Sequence, residues 1–144
     1  MTLPKDERRD GYRFAINIPT RWADGDPYGH VNNVTYYSFF DTAVHTYHIK
    51  QRRLDIHDGD VLVLVVSSAC DYVASNAFPE RMAILLLVGQ LVNRYLTYEL
   101  AVFKQGEEEA CAAGRFVHVF VERGSNQPVT IPGMLREALQ RLVV

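Results

Sequence analysis

Arg21-Trp22-Ala23-Asp24-Gly25-Asp26-Pro27-Tyr28-Gly29-His30-Val31-Asn32-Asn33 sets two carboxylates and a turn directly before a strongly apolar stretch. Asp at the first position, Pro at the second and Gly at the fourth of Asp26-Pro27-Tyr28-Gly29 predict a type I turn. Asn32 or Asn33 then stands where it can cap a helix running to about His48. In that helix Tyr36, Phe40, Ala43 and Tyr47 form one stripe and Tyr37, Val44 and His48 another. A helix apolar almost all round should be enclosed by other structure, and a sheet wrapped around it is the expectation. A carboxylate held by a turn beside the unpaired N–H groups of a helix start suits carbonyl chemistry: the acid attacks or activates water, and the amides hold the oxyanion.

Strand patterns lie on both sides of this segment. Phe14, Ile16 and Ile18 alternate with Arg13, Ala15 and Asn17, the two-residue period of a strand with one buried face. The β-branched and leucine run from Val61 to Val66 continues through Ser67 to Val73 as one long, bent strand. Pro79 breaks the chain; 82–92 and 95–103 read as strands, Gly106 centres a polar hairpin loop at 104–109, and 110–121 supplies a last strand. In the tail 132–144, Met134, Leu135, Ala138, Leu139 and Leu142 fall at helical spacing, which predicts a short amphipathic helix. Strand, helix, four strands and helix make an α+β order with an antiparallel sheet, whose edges a second copy could cover.

The bulk properties narrow the class. A chain of 144 residues fits one domain, 1–144. Fifteen basic against seventeen acidic residues, a formal charge of −2, supply no field for a polyanion, so no nucleic-acid partner is expected, although a small local cluster of Lys or Arg could still serve a phosphate. The segment from Met1 to Asp10 is polar and nothing downstream is a continuous membrane-spanning run, which leads to the expectation of a cytoplasmic protein without a membrane partner. Cys70 and Cys111 lie in apolar strand-like segments and read as buried thiols. His45 and His48 have no further acid or Cys at ligand spacing, so no metal is expected.

Every fixed position of an Arg-x-x-Asp-x-Asp-x-x-Gly-His-Val-Asn-Asn pattern is filled here, and in this the chain resembles the 4-hydroxybenzoyl-CoA thioesterase-like branch of the hotdog-fold acyl-CoA thioesterases. The resemblance continues through Tyr36-Tyr37-Ser38-Phe39-Phe40-Asp41, Ala69-Cys70-Asp71-Tyr72, 96–103 and Pro128-Val129-Thr130-Ile131-Pro132. It implies a hotdog fold, a curved antiparallel sheet wrapped around a long central helix, and a homodimer or homotetramer with acyl-CoA sites at the subunit interface. It also implies hydrolysis of an acyl-CoA to free acid and CoA, with no cofactor because CoA is part of the substrate, and Asp26 as the catalytic acid.

The residues themselves leave alternatives open. Asp26 fits the first turn position on structural grounds alone, but a turn also fixes a carboxylate, so both roles can hold. Asp24, two residues earlier, would share a face with Asp26 in an extended segment and is read as structural or orienting. Gly29 either lets the backbone approach a substrate or serves only the turn. His30 can orient the loop or polarise a carbonyl, and the amides around Val31, Asn32 and Asn33 are the candidate oxyanion donors. Asp41, where relatives often carry Glu, is either a functional acid or the centre of a buried hydrogen-bonded trio with Tyr37 and His45. Tyr36, Phe39 and Phe40 offer an apolar face for an aliphatic or aromatic acyl group. The chain departs from the family at Asn93-Arg94-Tyr95, where Arg94 is either a CoA phosphate contact or a solvated strand-end arginine. Two rival readings remain at this level: a hydratase or dehydratase on the same fold, and a non-catalytic acyl-CoA-binding protein.

Overall fold

In the computed structural model, which describes residues 9–144, five strands form one antiparallel sheet: β1 (Phe14–Pro19), β2 (Val61–Tyr72), β3 (Arg81–Leu91), β4 (Tyr95–Lys104) and β5 (Ala112–Glu122). Their spatial order is β1-β3-β4-β5-β2, with helix α1 (Thr35–Gln51) between β1 and β2 in sequence and helix α2 (Gly133–Gln140) after β5. This is the α+β hotdog architecture expected from the sequence. The polar segment from Met1 lies outside the described residues as far as residue 8.

Period-two burial builds the sheet. Phe14, Ile16 and Ile18 turn inward from β1, and Met82, Ile84, Leu86 and Val88 do so from β3. Leu96, Tyr98, Leu100 and Val102 of β4 and Ala112, Phe116 and Phe120 of β5 complete an inner face that receives Tyr36, Phe39, Phe40, Ala43, Val44 and Tyr47 from α1. Each large side chain buried there contributes about 1.5–3 kcal/mol. The outer face carries a second cluster of Ala83, Leu85, Ala101, Phe103, Ala110 and Ala113, with Tyr12 packed against it. Helix α1 reaches the sheet closely because β5 has Gly114 beneath it: an added Cβ there would stand 2.6 Å from the Phe40 ring and overlap the Ala69 carbonyl oxygen.

Several details differ from the sequence expectation. Helix α1 starts at Thr35 after an N-cap at Val34 that makes no side-chain cap bond, because Asn32 closes a turn first: its Oδ1 accepts the Val34 N–H (3.1 Å) and its carbonyl the Thr35 N–H (2.9 Å). The helix runs on to Gln51 and ends where Arg52 takes φ 54°. Its far side is open, with Ser38, Asp41 and Thr42 exposed, so the sheet covers one face and not the whole circumference. Thr42 and Thr46 satisfy their hydroxyls by donating to the Ser38 and Thr42 carbonyls, which lets these polar residues sit mid-helix. Met134 is exposed, leaving Leu135, Ala138, Leu139 and Leu142 to anchor the C-terminal segment. Strand β2 is an edge strand with a register shift between Val65 and Ser67, and Leu64, Val65 and Val66 are exposed along it.

Candidate active site

The loop from Thr20 to Val34 is shaped by its two acids. Asp24 ends a 3-10 turn, Trp22–Asp24, and is 3% exposed. Its Oδ2 accepts the Arg21 N–H (2.8 Å), its Oδ1 the Arg21 guanidinium (2.8 Å), and its carbonyl the Asn32 N–H (2.7 Å). Because that turn rotates the backbone, Asp24 does not share a face with Asp26 as an extended segment would require. Asp24 is a strut.

Asp26 is half-buried and opens the expected turn, with the Gly29 N–H donating to its carbonyl (3.1 Å) and Gly29 at φ 81°. No atom stands within 4 Å of a Cβ built on Gly29, so the glycine is there for its conformation. The carboxylate is aimed by backbone: Asp26 Oδ1 accepts the N–H groups of Tyr28 (2.9 Å) and His30 (3.0 Å), and no partner occupies Oδ2 among the described residues. One oxygen is thus tied down and the other carries no hydrogen bond from the described residues.

The expected oxyanion donors are mostly spent. The Val31 N–H donates to the Asn76 carbonyl (2.7 Å) and the Asn32 N–H to Asp24, because an apolar loop buried at Val31 must pair its backbone groups internally. His30 gives its N–H to Asp26 itself. Asn33 is different: its N–H carries no hydrogen bond among the described residues, and its carbonyl accepts the Tyr72 hydroxyl (2.8 Å).

Two pockets flank Asp26. One, of about 250 Å³, is lined by Asp26, His30, Val31, Asn33, Tyr36, Tyr72, Ala74 and Ser75. The other, of about 180 Å³, lies between Asp26, Gly25, Gly29 and an exposed edge-to-face pair, Trp22 and Phe78, with ring centroids 5.9 Å apart. Of the aromatic helix residues expected to receive an acyl group only Tyr36 lines a pocket beside Asp26; Phe39 and Phe40 are buried in the core.

The remaining candidates lie elsewhere. Tyr37 stacks on Phe116 at 6.5 Å, while Asp41 is exposed and, among the described residues, pairs only with His45 (3.2 Å), so the buried trio does not form. Arg94 follows β3, whereas the Asp26 loop leaves β1 beside Arg81 at the other end of β3. Eleven residues of strand separate the two, roughly 30 Å, so within one chain Arg94 is not brought to the site. Asn76, Tyr72, Trp22 and Phe78 were not singled out by sequence reasoning; Asn76 sits in the short connection before Pro79, with no pattern to mark it. Both cysteines are free thiols, and burial pushes Cys70 up to about 11. No group of three His, Cys, Asp or Glu among the described residues could hold a metal ion, and no described helix is long and apolar enough to cross a membrane.

The PA5185 protein from Pseudomonas aeruginosa is 59% identical over 94% of this chain and 95% of its own, with a TM-score of 0.92. YsmA of Bacillus subtilis is 25% identical over 137 residues, 95% of this chain and 92% of its own. A 1,4-dihydroxy-2-naphthoyl-CoA thioesterase from Synechocystis, 16% identical, has the same fold at a TM-score of 0.81, over 88% of this chain and 95% of its own. A family profile matches residues 20–139, from the start of the Asp24–Asp26 loop into α2, and the chain therefore belongs to the thioesterase-like superfamily.

Proposed function

We propose that the protein is an acyl-CoA thioesterase, cleaving the C–S bond of an acyl-CoA with water to give a free acid and CoA thiol. The observation that carries this reading is Asp26: Oδ1 is fixed by two backbone N–H groups, and Oδ2 is left uncommitted between two pockets with aromatic walls. Oδ2 either removes a proton from the attacking water or attacks the carbonyl carbon itself, forming an anhydride that water then opens. The Asn33 N–H faces the developing oxyanion, since of the amides of Val31, Asn32 and Asn33 it is the one without another acceptor among the described residues. His30, on the wall of the larger pocket, borders the thioester, and Asp24 holds the loop. The reaction needs no cofactor.

A second copy of the chain fits the exposed β2 edge, where Leu64, Val65 and Val66 present apolar side chains beside unpaired backbone groups. Tyr72 at the end of that strand also lines the larger pocket, which supports an active site at the subunit interface of a homodimer or homotetramer. One domain, 1–144, working in the cytoplasm completes the reading, in keeping with two unpaired thiols. Free CoA released from a panel of short, long and aromatic acyl-CoAs, measured by mass spectrometry, tests the proposal. Turnover of at least one member is expected; a panel that stays intact while bound would leave only a binding protein.

A further inference from the structure

Behind the Asp26 pocket lies a buried polar network that the proposed reaction does not yet use. Tyr36, in the first turn of α1, is 2% exposed, and its ring is held edge-on by Phe39 (5.8 Å) and Tyr72 (5.1 Å). Its hydroxyl accepts a hydrogen bond from Asn76 Nδ2 (2.8 Å), and Nδ2 also donates to Cys111 Sγ (2.9 Å), whose own proton goes to the Val102 carbonyl (3.0 Å). Asn76 is 1% exposed and its backbone carbonyl takes the Val31 N–H, so the same residue grips the catalytic loop and the phenol.

The direction of the Asn76–Tyr36 bond matters. Asn76 Nδ2 donates to both the Tyr36 oxygen and Cys111 Sγ, and Asn76 Oδ1 is buried without a partner among the described residues. With Nδ2 donating, the Tyr36 oxygen is an acceptor and its proton is left with no acceptor among the described residues. Burial pushes the phenol up to about 12, so it keeps that proton throughout the neutral range. Tyr36 and Asn33 share the pocket wall with Asp26.

We infer that Tyr36 is a catalytic residue: its hydroxyl donates to the thioester carbonyl oxygen as that atom takes up negative charge, alongside the Asn33 N–H, and Asn76 is the positioning residue that turns the phenol proton toward the pocket. The inference rests on the proposed thioesterase reading and adds the second oxyanion donor that the spent amides of Val31 and Asn32 cannot supply. No proton is transferred in this step; the hydrogen bond shortens as the carbonyl carbon becomes tetrahedral and relaxes when the thiolate leaves.

The test follows turnover of an acyl-CoA that wild type hydrolyses, in Tyr36→Phe and Asn76→Ala, with melting curves to verify folding. Tyr36→Phe is expected to lose about 10²-fold in kcat with KM little changed, the cost of removing one oxyanion donor. A second readout is the infrared carbonyl band of a bound acyl-CoA analogue carrying methylene in place of sulfur. That band should move to higher wavenumber in Tyr36→Phe, partway in Asn76→Ala, and to lower wavenumber when 3-fluorotyrosine, a stronger donor of nearly the same shape, replaces Tyr36. Wild-type kcat in Tyr36→Phe, or a band indifferent to these changes, overturns the inference while the thioesterase reading stands. Absence of wild-type turnover across the panel removes both.

Discussion

Asp24 and Asp26 lie two residues apart, and the hydrogen bonds they accept give them different work. Asp24 is buried and saturated by Arg21, while Asp26 keeps one oxygen uncommitted at the pocket. Asp24→Ala removes the acceptor for the Arg21 N–H and is expected to destabilise the fold by about 1–3 kcal/mol, read from urea unfolding, with a smaller loss of activity than a change at Asp26. An unchanged unfolding midpoint would mean that Arg21 and Asp24 are held from elsewhere. The turn at Asp26 was legible because Asp, Pro and Gly fill positions with local conformational demands. The fate of the Val31 amide was not, since it depends on Asn76, more than forty residues downstream in a stretch without a repeating pattern, and that of Asn32 depends on the 3-10 turn that presents the Asp24 carbonyl. Asp41 misled for a related reason: helical spacing gave its neighbours correctly, but only the packed helix shows that its face is open.

At the level of elements, α1 and β5 are fitted through Gly114. An added methyl there would meet the Ala69 carbonyl, which is backbone within the β2–β5 pairing, and the Phe40 ring, which is enclosed in the core. Gly114→Ala should therefore cost about 1–3 kcal/mol or more, visible as a lower melting temperature, and Phe40→Leu in the same chain should recover part of the loss. Equal stability of Gly114→Ala and wild type would contradict this packing. All five strands were legible, β1 from alternation, β2 from its β-branched run and the others from apolar segments between breakers, because each such signal is local. The open side of α1 was not, since Thr42, His45 and Thr46 sit among aromatics and satisfy themselves on the helix backbone.

Two properties belong to the molecule as a whole. His48 and His118 are buried between α1, β4 and β5, with Tyr98 Oη 2.8 Å from His48 Nε2. Burial, reinforced by neighbouring imidazoles, lowers His48 from 6.5 to about 4 and His118 from 6.5 to about 3. Both are therefore neutral when folded but charged in the unfolded chain below 6.5, so stability is full above that pH and is lost as pH falls toward 4 and then 3. Each group contributes a slope of up to about 1.4 kcal/mol per pH unit. Melting temperatures should drop steeply with acidification from neutral pH, and His118→Phe should flatten the slope; the same slope in the variant would assign acid lability to other groups. The second is the proposed assembly. Val66→Lys on the exposed β2 edge should lower the solution mass toward one chain in light scattering, and an unaltered mass would place the subunit contact on another face.

The most direct measurement is the rate of CoA release by wild type and Asp26→Asn, on the substrate that wild type turns over fastest, with both proteins shown folded by matching melting curves. The amide keeps the turn and an oxygen for the Tyr28 and His30 N–H groups, but removes the carboxylate that attacks or activates water in the proposed reaction. A fall of about 10²–10⁴-fold in kcat is the predicted result. Turnover equal to wild type would reduce Asp26 to a turn residue and contradict a thioesterase centred on it.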